Sequence, residues 1–410
     1  MIKHGRSPWL VEFPRSRVPN YPRQRNKTET AVAVVGGGLT GCATAYAFAA
    51  AGVKVALVEA VQIGRGATAF SAGFLAEEPG AHFGDLVKAL GLRATRHAWQ
   101  SWRRAALDAA ALLRRLEIKC HLEQPGTVTI TQTPEQVSHL RRDLKVRREA
   151  GVESPILNAK TLRSELGVDA VAGLRNKESG TLDPYRACLG LAAAAAERGA
   201  AVFERSPVQR IKFGRKSVQL FLADGSILAE RVVVATGRPS SLLGALKRHF
   251  HYRTTYAAVT DRIPAKIRQQ LGEEQTSIRD SASPPHLLRW VGEDRLLVTG
   301  ADSDEVPRRQ LPATMVQRTG QLMYELSTIY PEMSGIMAEY GWAVDHARTA
   351  DGLPCIGPHR NYPRHLFAFG DTSPSVTGSF LASRILLRHH LEDSVSADDV
   401  FGFGRCLDRS

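Results

Sequence analysis

The chain has 410 residues, 43% hydrophobic and 23% charged, enough to bury one large core or two smaller ones. Glycine (35 residues) and proline (21) occur at ordinary frequency, which excludes collagen-like and disordered chains. With 54 lysines and arginines against 41 acids, the formal net charge is +13, which favours an acidic partner. No aromatic residue interleaves with the basic run at 141–148, so we interpret that run as an exposed helix face.

The five cysteines argue against a disulfide framework and a structural zinc site, because their number is odd and no two have C-x-x-C spacing. They favour a reducing compartment, so we expect a cytoplasmic protein without a metal site. Residues 31–53 carry no charge and follow a basic stretch, but glycines interrupt them. We therefore expect no transmembrane segment.

The first thirty residues are polar and proline-rich, and we expect them to form an extension on the surface. The apolar run 31–35 is then typical of a buried parallel strand. An alanine-rich helix over 39–51 and a second strand over 53–58 complete a β-α-β unit.

The rest of the chain continues to mix helical and strand patterns, without an internal repeat. The helices are expected at 85–116, 135–150, 184–198, from about 311, and at 379–390. The strands are expected at 127–131, 201–203, 208–213, 218–222, 227–234, 255–260, 286–290, 296–299 and 365–369.

A dinucleotide-binding motif lies inside the β-α-β unit. Gly36 permits a tight turn, Gly38 lets the backbone approach a pyrophosphate, and Gly41 lets the helix pack closely on the strand. Glu59 ends the second strand and can accept hydrogen bonds from a ribose hydroxyl. The alternative is a glycine-rich turn that only joins strand to helix.

Two further stretches favour FAD over NAD, since both cofactors use this motif. A loop of small residues at 64–73 follows Glu59 and can continue along an extended cofactor. A second apolar strand, 232–237, ends in Thr-Gly, where its backbone can approach the same molecule. An NAD dehydrogenase fits residues 36–59 but leaves 342–378 unexplained.

From these stretches the sequence resembles the family of D-amino-acid oxidase, glycine oxidase and sarcosine oxidase, nearest to the branch that contains γ-glutamylputrescine oxidase. The most specific similarity is the segment from Trp342 through Thr349, Asp351, Gly352, Pro354 and Ile356 to Gly357. The resemblance implies an α/β fold with a Rossmann-type FAD-binding domain and a substrate domain on a mixed sheet, interleaved in sequence.

That resemblance predicts discontinuous domains. The FAD-binding domain is assigned to 31–85, 151–240 and 341–392, and the substrate domain to 86–150 and 241–340. Residues 1–30 are the N-terminal extension and 393–410 a C-terminal tail.

The resemblance and the motif together imply a set of cofactor-binding residues. They are Gly36, Gly38, Leu39, Thr40, Gly41, Glu59, Gly66, Ala67, Thr68, Ser71, Gly73, Val208, Gly237, Gly370, Ser373, Pro374, Ser375, Val376 and Thr377. Relatives that bind flavin covalently carry Cys or His where this chain has Val344 and Phe70. FAD is therefore expected to be non-covalent.

Four residues are candidates for contact with substrate: His346, Arg348, Arg289 and Tyr256. Glycine oxidase-like relatives bind the substrate carboxylate with an Arg where this chain has His346, and Arg348 follows two residues later. Binding of an amino-acid carboxylate is therefore not assured, and a polyamine or another amine is an alternative substrate. Arg289 in an ordinary salt bridge and Tyr256 in packing are the alternatives.

The chemistry implied is hydride transfer from the α-carbon of a small-molecule amine or amino acid to flavin N5, which gives an imine that water hydrolyses. The electron acceptor is O2 or an unknown compound, since Val298 replaces the lysine that activates oxygen in sarcosine oxidase-like relatives.

Two other classes of function stay open. The loop at 370–378 departs from the family's glycine-rich pattern, which suits a flavin-binding protein that has lost catalysis and serves a structural or interaction role. The second class is a tRNA-modifying amine oxidase, in which the basic charge of the chain serves to bind nucleic acid as the partner.

Overall fold

The computed structural model describes residues 2–272, 275–370 and 375–406, which form two large sheets with helices around them. The ten helices described are α1 (Pro8–Val11), α2 (Leu39–Ala50), α3 (Phe83–Leu90), α4 (Leu92–Arg115), α5 (Pro134–Glu149), α6 (Ala159–Leu166), α7 (Pro184–Glu197), α8 (Ala265–Arg268), α9 (Leu311–Ile329) and α10 (Thr377–Leu391).

The strands of the described residues alternate with these helices up to α7 and come in longer runs after it. They are β1 (Lys3–His4), β2 (Asn26–Val35), β3 (Val55–Val58), β4 (Phe74–Leu75), β5 (Thr127–Thr131), β6 (Ile156–Asn158), β7 (Ala172–Asn176), β8 (Gly180–Thr181), β9 (Ala201–Phe203), β10 (Arg210–Phe213), β11 (Val218–Phe221), β12 (Gly225–Gly237), β13 (His251–Thr260), β14 (Ser277–Arg279), β15 (Leu287–Val291), β16 (Arg295–Asp304), β17 (Ala338–Arg348), β18 (Cys355–His359) and β19 (Tyr362–Phe369).

The first sheet is the Rossmann-type unit expected from the sequence. Its order is β10-β11-β12-β2-β3-β9, with β19 beside β12 and β18 beside β19. β2 runs parallel to β3 and β12, so the carboxyl ends of these strands meet at one edge. The strand cores are buried, and α2 packs against both α7 and α10. The prediction of an α/β fold with a parallel-stranded cofactor unit is confirmed.

The second sheet is mixed and has nine strands, in the order β1-β17-β13-β16-β15-β14-β5-β7-β6. Side chains alternate between its faces. Trp342 and Leu297 belong to the core shared with the first unit, whereas Ala258 and Val298 face the other way and pack with Leu326 of α9. One face of this sheet is therefore turned toward the cofactor unit.

Sheet membership moves three strands across the domain boundaries expected from the sequence. β6, β7 and β17 all join the nine-stranded sheet, although β6, β7 and the part of β17 after residue 340 fall in ranges assigned to the FAD-binding domain. Conversely, α4 packs against α10 on the first unit. Apolar patterning marks a strand but does not state which sheet it joins, because the partner is distant in sequence.

The N-terminal segment is part of the core, which corrects the expectation of a surface extension. β1 adds a parallel edge strand to β17. The Ser7 hydroxyl donates to the Ala69 carbonyl (2.5 Å), and Trp9 is buried, with its Nε1 donating to the Ser71 carbonyl (2.9 Å). The segment therefore links the two sheets. Within the described residues, no helix has the length and apolar character that crossing a membrane requires.

Candidate functional site

A cleft lies at the carboxyl ends of β2, β3 and β12, with an empty volume of about 1070 Å³ that includes the part open to solvent. Ligands of open α/β sheets bind at this edge. The turn after β2 and the loop at 66–71 form two of its walls, and Val208 and Gly237 contribute further backbone.

The turn after β2 depends on glycine at two positions. Gly36 has φ +108°, and a Cβ on it would lie 2.6 Å from the Ala235 carbonyl oxygen. A Cβ on Gly41 would lie 1.8 Å from the Gly36 carbonyl oxygen, so α2 packs directly against the turn. This packing directs the N-terminus of α2 into the cleft, where a helix N-terminus favours phosphate.

Glu59 follows β3 and forms part of the cleft wall. One of its carboxylate oxygens accepts the Gly37 N–H (2.7 Å) and the other accepts the Val61 N–H (2.8 Å). A carboxylate has about four acceptor positions, so both oxygens keep the capacity to accept a ribose hydroxyl. The two backbone bonds hold the side chain in place for that contact.

Thr68 connects the small-residue loop to the helix terminus. Its hydroxyl accepts the Leu39 N–H at 2.9 Å, and both residues line the cleft. The 3-10 turn Ala67–Phe70 is thereby held against the start of α2. The loop and the dinucleotide turn therefore enclose the same space.

Most of the residues expected to bind cofactor line this cleft, which brings together parts of the chain more than 300 residues apart. Those on the wall are Gly36, Gly38, Leu39, Thr40, Glu59, Gly66, Ala67, Thr68, Ser71, Val208, Gly237 and Val376. Those described but off the wall are Gly41, Gly73, Gly370, Ser375 and Thr377. Ser373 and Pro374 lie outside the described residues.

Eight wall residues are absent from the predicted set of cofactor-binding residues: Val35, Val58, Ala60, Ser206, Ala235, Thr236, Val344 and Ser379. Several of them end a strand or follow its end, and the rule that ligands bind at carboxyl strand ends is a signal that could have found them. Val344 carries a different signal, since it stands where relatives with covalent flavin have a cysteine, and Ser379 carries none.

The far end of the cleft is formed where α10 begins. The Val376 N–H donates to the Phe74 carbonyl (2.7 Å), and the Thr377 hydroxyl donates to the Ala76 carbonyl (2.7 Å). Val376 and Thr377 therefore attach the start of α10 to the segment that begins at β4. Val344, on β17 of the second sheet, also lines the cleft.

His346 and Arg348 lie on the same face of β17 as Val344. His346 is only 3% exposed, and neither of its ring nitrogens has a hydrogen-bond partner among the described residues. Burial, together with the nearby Arg348 cation, lowers the pKa of His346 to about 4, so the imidazole is neutral at pH 7. Arg348 lies 3.9 Å from the Asp302 carboxylate.

The other two substrate candidates lie elsewhere. Arg289 is buried on β15, where its Nη1 donates to the carbonyls of Gly73 and Leu182 (both 2.9 Å). Tyr256 lies on the opposite face of the sheet from His346, and its hydroxyl is 3.3 Å from that of Ser303. The structure therefore brings His346 and Arg348 together, and separates them from Arg289 and Tyr256.

Comparison with known proteins accounts for the cleft. The family model for FAD dependent oxidoreductase, abbreviated DAO, matches residues 31–388. The chain belongs to this family of FAD-dependent oxidoreductases. This is a family of enzymes. The relatives of this chain within it are oxidoreductases that act on amines or amino acids.

Among its relatives, this oxidoreductase is 25% identical to the probable oxidoreductase OrdL of Haemophilus influenzae, over 88% of this chain and 83% of that protein. It is 24% identical to gamma-glutamylputrescine oxidoreductase of Escherichia coli, over 87% and 82%. The fold is similar to that of glycine oxidase from Geobacillus kaustophilus, with a TM-score of 0.75 and 21% identity over 92% of this chain and 99% of that one.

The residues present fit FAD. The Gly36 turn packs closely against the end of β12, the N-terminus of α2 lines the cleft and suits the pyrophosphate, and Glu59 suits a ribose. The described residues on the wall include no cysteine, histidine or tyrosine that could bond to the flavin. The cofactor of this oxidoreductase is therefore FAD, held without a covalent bond.

Proposed function

We propose that this oxidoreductase oxidises the C–N bond of an amine or amino acid to an imine, which water then hydrolyses. FAD, when bound, accepts the hydride from the substrate α-carbon at N5. The observation that carries the proposal is the position of His346, a buried and neutral imidazole two residues beyond the cleft-lining Val344.

His346 sets the electrostatics next to the cleft. A neutral imidazole offers one N–H donor and one acceptor but carries no charge. It can therefore bind an uncharged amine, and the protein avoids the cost of burying a charged imidazolium beside the Arg348 cation. Amine oxidation by hydride transfer requires the neutral amine, whose nitrogen lone pair becomes part of the imine. His346 therefore suits the reactive form of the substrate.

Arg348 is the cation with the largest influence on the pKa of His346, and its positive charge is partly balanced by the Asp302 carboxylate. Its side chain is 40% exposed, so it stands at the solvent side of His346. Holding an anion there does not require displacement of a close ion pair, because the separation from Asp302 is 3.9 Å. Arg348 is proposed to orient a polar group of the substrate.

Trp342 keeps water from the inner end of β17. Its side chain is fully buried, and its Nε1 donates to the Phe70 carbonyl (2.8 Å), which fixes the small-residue loop against the second sheet. We propose that substrate enters from the side of His346 and Arg348, because Trp342 closes this end. Exclusion of water there protects the imine until it leaves.

The experiment is an anaerobic absorption spectrum of the holoprotein before and after addition of a panel of amines and amino acids. We expect one class of compound to bleach the flavin absorbance. Readmission of air then separates an oxidase, which recovers its colour, from a dehydrogenase, which does not. A flavin that no amine reduces would contradict the proposal and favour the non-catalytic alternative.

Two matched glycine variants control for cofactor binding. Gly36→Ala places a Cβ 2.6 Å from the Ala235 carbonyl at φ +108° and should lose FAD, whereas Gly320→Ala, on α9 and not on the cleft wall, has open space around its Cβ and should keep it. Bleaching is expected for Gly320→Ala alone. Retention of flavin absorbance by purified Gly36→Ala would contradict the assignment of the turn.

A further inference from the structure

A second cavity lies on the same face of the nine-stranded sheet as His346, between that sheet, α5 and the segment 78–82. Its empty volume is about 1080 Å³, including the part open to solvent. Residues paired directly across neighbouring strands lie on the same face of a sheet, and such pairs connect Trp342 to Arg279, a residue that lines this cavity. The aligned row across the sheet is Trp342, Ala257, Thr299, Leu287 and Arg279.

The buried acids of this cavity already have partners. Arg147 forms ion pairs with Glu78 and with Asp143 (2.6 Å for the latter), and the Gly84 N–H donates to Asp143 (2.9 Å). The Arg147 guanidinium also lies over the Trp99 ring, 5.2 Å from its centroid. This cluster is a packed part of the wall.

Arg279 differs from Arg147, because no carboxylate lies within ion-pair distance of it among the described residues. Its Nη2 donates to the Gly80 carbonyl (3.0 Å), and that bond holds one side of the guanidinium toward the cavity. Burial lowers the pKa of Arg279, and the more distant Glu78 opposes that effect. The remaining N–H donors of the planar guanidinium match a carboxylate that binds through two parallel hydrogen bonds.

The second cavity is close to the far end of the cofactor cleft. Val376 lines the cleft and donates its N–H to the Phe74 carbonyl (2.7 Å), and Glu78, four residues after Phe74, lines the second cavity. Four residues span at most about 14 Å. Arg348 is also near enough to Arg279 for its positive charge to lower the pKa of Arg279. An elongated molecule can therefore reach from one site to the other.

We propose that Arg279 binds a carboxylate at the far end of an elongated amine substrate, whose other end carries the C–N bond that is oxidised near His346. The inference rests on the proposed function and names its substrate class: ω-amino carboxylates and amines of similar length with a remote carboxylate. The short amino acids, whose amine and carboxylate share one carbon, cannot reach both sites.

The test compares ω-amino acids of increasing chain length with n-alkylamines of the same lengths, by anaerobic flavin reduction of the holoprotein. In Arg279→Gln we expect the half-saturating concentration of the long ω-amino acids to rise by about tenfold to a hundredfold, the loss of a charge-assisted hydrogen bond. Arg279→Lys should retain part of the affinity, since it keeps the charge but loses the fork.

Two controls test whether the loss of affinity depends on the substrate carboxylate and on the position of the arginine. The n-alkylamines should reduce the flavin of wild type and of Arg279→Gln equally, because they have no carboxylate. Arg141→Gln removes the same charge from an exposed position of α5 that does not line the cavity, and should leave all substrates unchanged. An equal response of wild type and Arg279→Gln to the long ω-amino acids would overturn the inference.

A calorimetric titration of the holoprotein with glutarate separates failure of this inference from failure of the proposed function. Glutarate binding to wild type and not to Arg279→Gln, with no amine able to reduce the flavin, would retain a carboxylate site and remove amine oxidation. Absence of glutarate binding to wild type would overturn the site. If Arg279 binds the carboxylate of the substrate, glutarate should compete with long ω-amino acids and not with short alkylamines. If Arg279 instead binds a separate effector, glutarate should compete with neither, which would overturn the inference.

Discussion

His346 is the residue at which burial has the clearest chemical consequence. Its ring is 3% exposed, and the charged groups that influence it are Arg348 and Arg253, which lower its pKa, and Asp302, which raises it. Burial is the largest cause, so the neutral imidazole persists well below the pH at which an exposed histidine becomes charged. The side chain therefore adds polarity but no charge to the site.

This shift predicts a pH dependence of stability. The pKa is about 4 in the folded protein and about 6.5 in the unfolded chain, so the unfolded chain binds more protons between these values. Stability is thus fully present above about pH 6.5 and falls as the pH drops toward 4. At about 1.4 kcal/mol per pKa unit, the total is about 3 kcal/mol.

Urea unfolding of His346→Gln at pH 7 and at about pH 4.5 measures that contribution. The variant should lose less stability on acidification than wild type, by about 2 to 3 kcal/mol. His121→Gln, at an exposed position, should follow wild type. An acid-induced loss as large in His346→Gln as in wild type would contradict the assignment.

Within elements, α5 shows how a basic run divides between surface and core. Arg141, Arg142 and Arg148 are exposed, as expected from the sequence, whereas Asp143 and Arg147 are buried and paired. Residues four apart lie on one side of a helix, so a charged pair at that spacing can turn inward. The exposed-face interpretation holds for most of the run and is wrong for this pair.

Arg289, on strand β15, contacts backbone carbonyls of the first unit and one aromatic ring. Arg289 bonds to the carbonyls of Gly73 and Leu182, and its guanidinium lies 5.1 Å from the centre of the Trp9 ring. Burial lowers its pKa to about 10, which leaves it charged at pH 7. It therefore joins the second sheet to the cofactor unit and to the N-terminal segment.

We expect Arg289→Met to lower the free energy of unfolding by about 1 to 3 kcal/mol, because the Leu182 carbonyl loses its Arg289 donor and the Gly73 carbonyl keeps only the Leu182 N–H. Flavin reduction by a given substrate should keep its half-saturating concentration. Arg262→Met, at an exposed ion pair, should change stability by less than about 0.5 kcal/mol in the same urea titration. Unchanged stability with weaker substrate binding would instead return Arg289 to the substrate site.

For the whole molecule, the net charge of +13 predicts weak attraction to polyanions without specific recognition. We expect labelled tRNA to bind at about 50 mM salt, to dissociate by about 200 mM, and to leave the rate of flavin reduction unchanged. Fluorescence anisotropy measured at both salt concentrations, alongside the anaerobic reduction assay, checks this. Binding that persists at the higher salt and accelerates reduction would support the tRNA-modifying alternative.

The cofactor unit could be predicted from the sequence because its requirements are local. A buried strand, Gly36, Gly38 and Gly41, a helix and a terminal Glu59 each follow from backbone conformation, helix termini or strand spacing within about thirty residues. The fold class and FAD followed from that unit together with the family resemblance of more distant segments.

Only the tertiary structure decided which distant side chains meet. Val344, His346 and Arg348 share a face of β17 that is turned toward a cleft made by residues 35–71, and Trp9 enters a core built mainly from residues far along the chain. Arg279 reaches its cavity through the register of five strands. Sheet register and domain packing join residues hundreds of positions apart, and the local patterns of a single sequence do not specify such contacts.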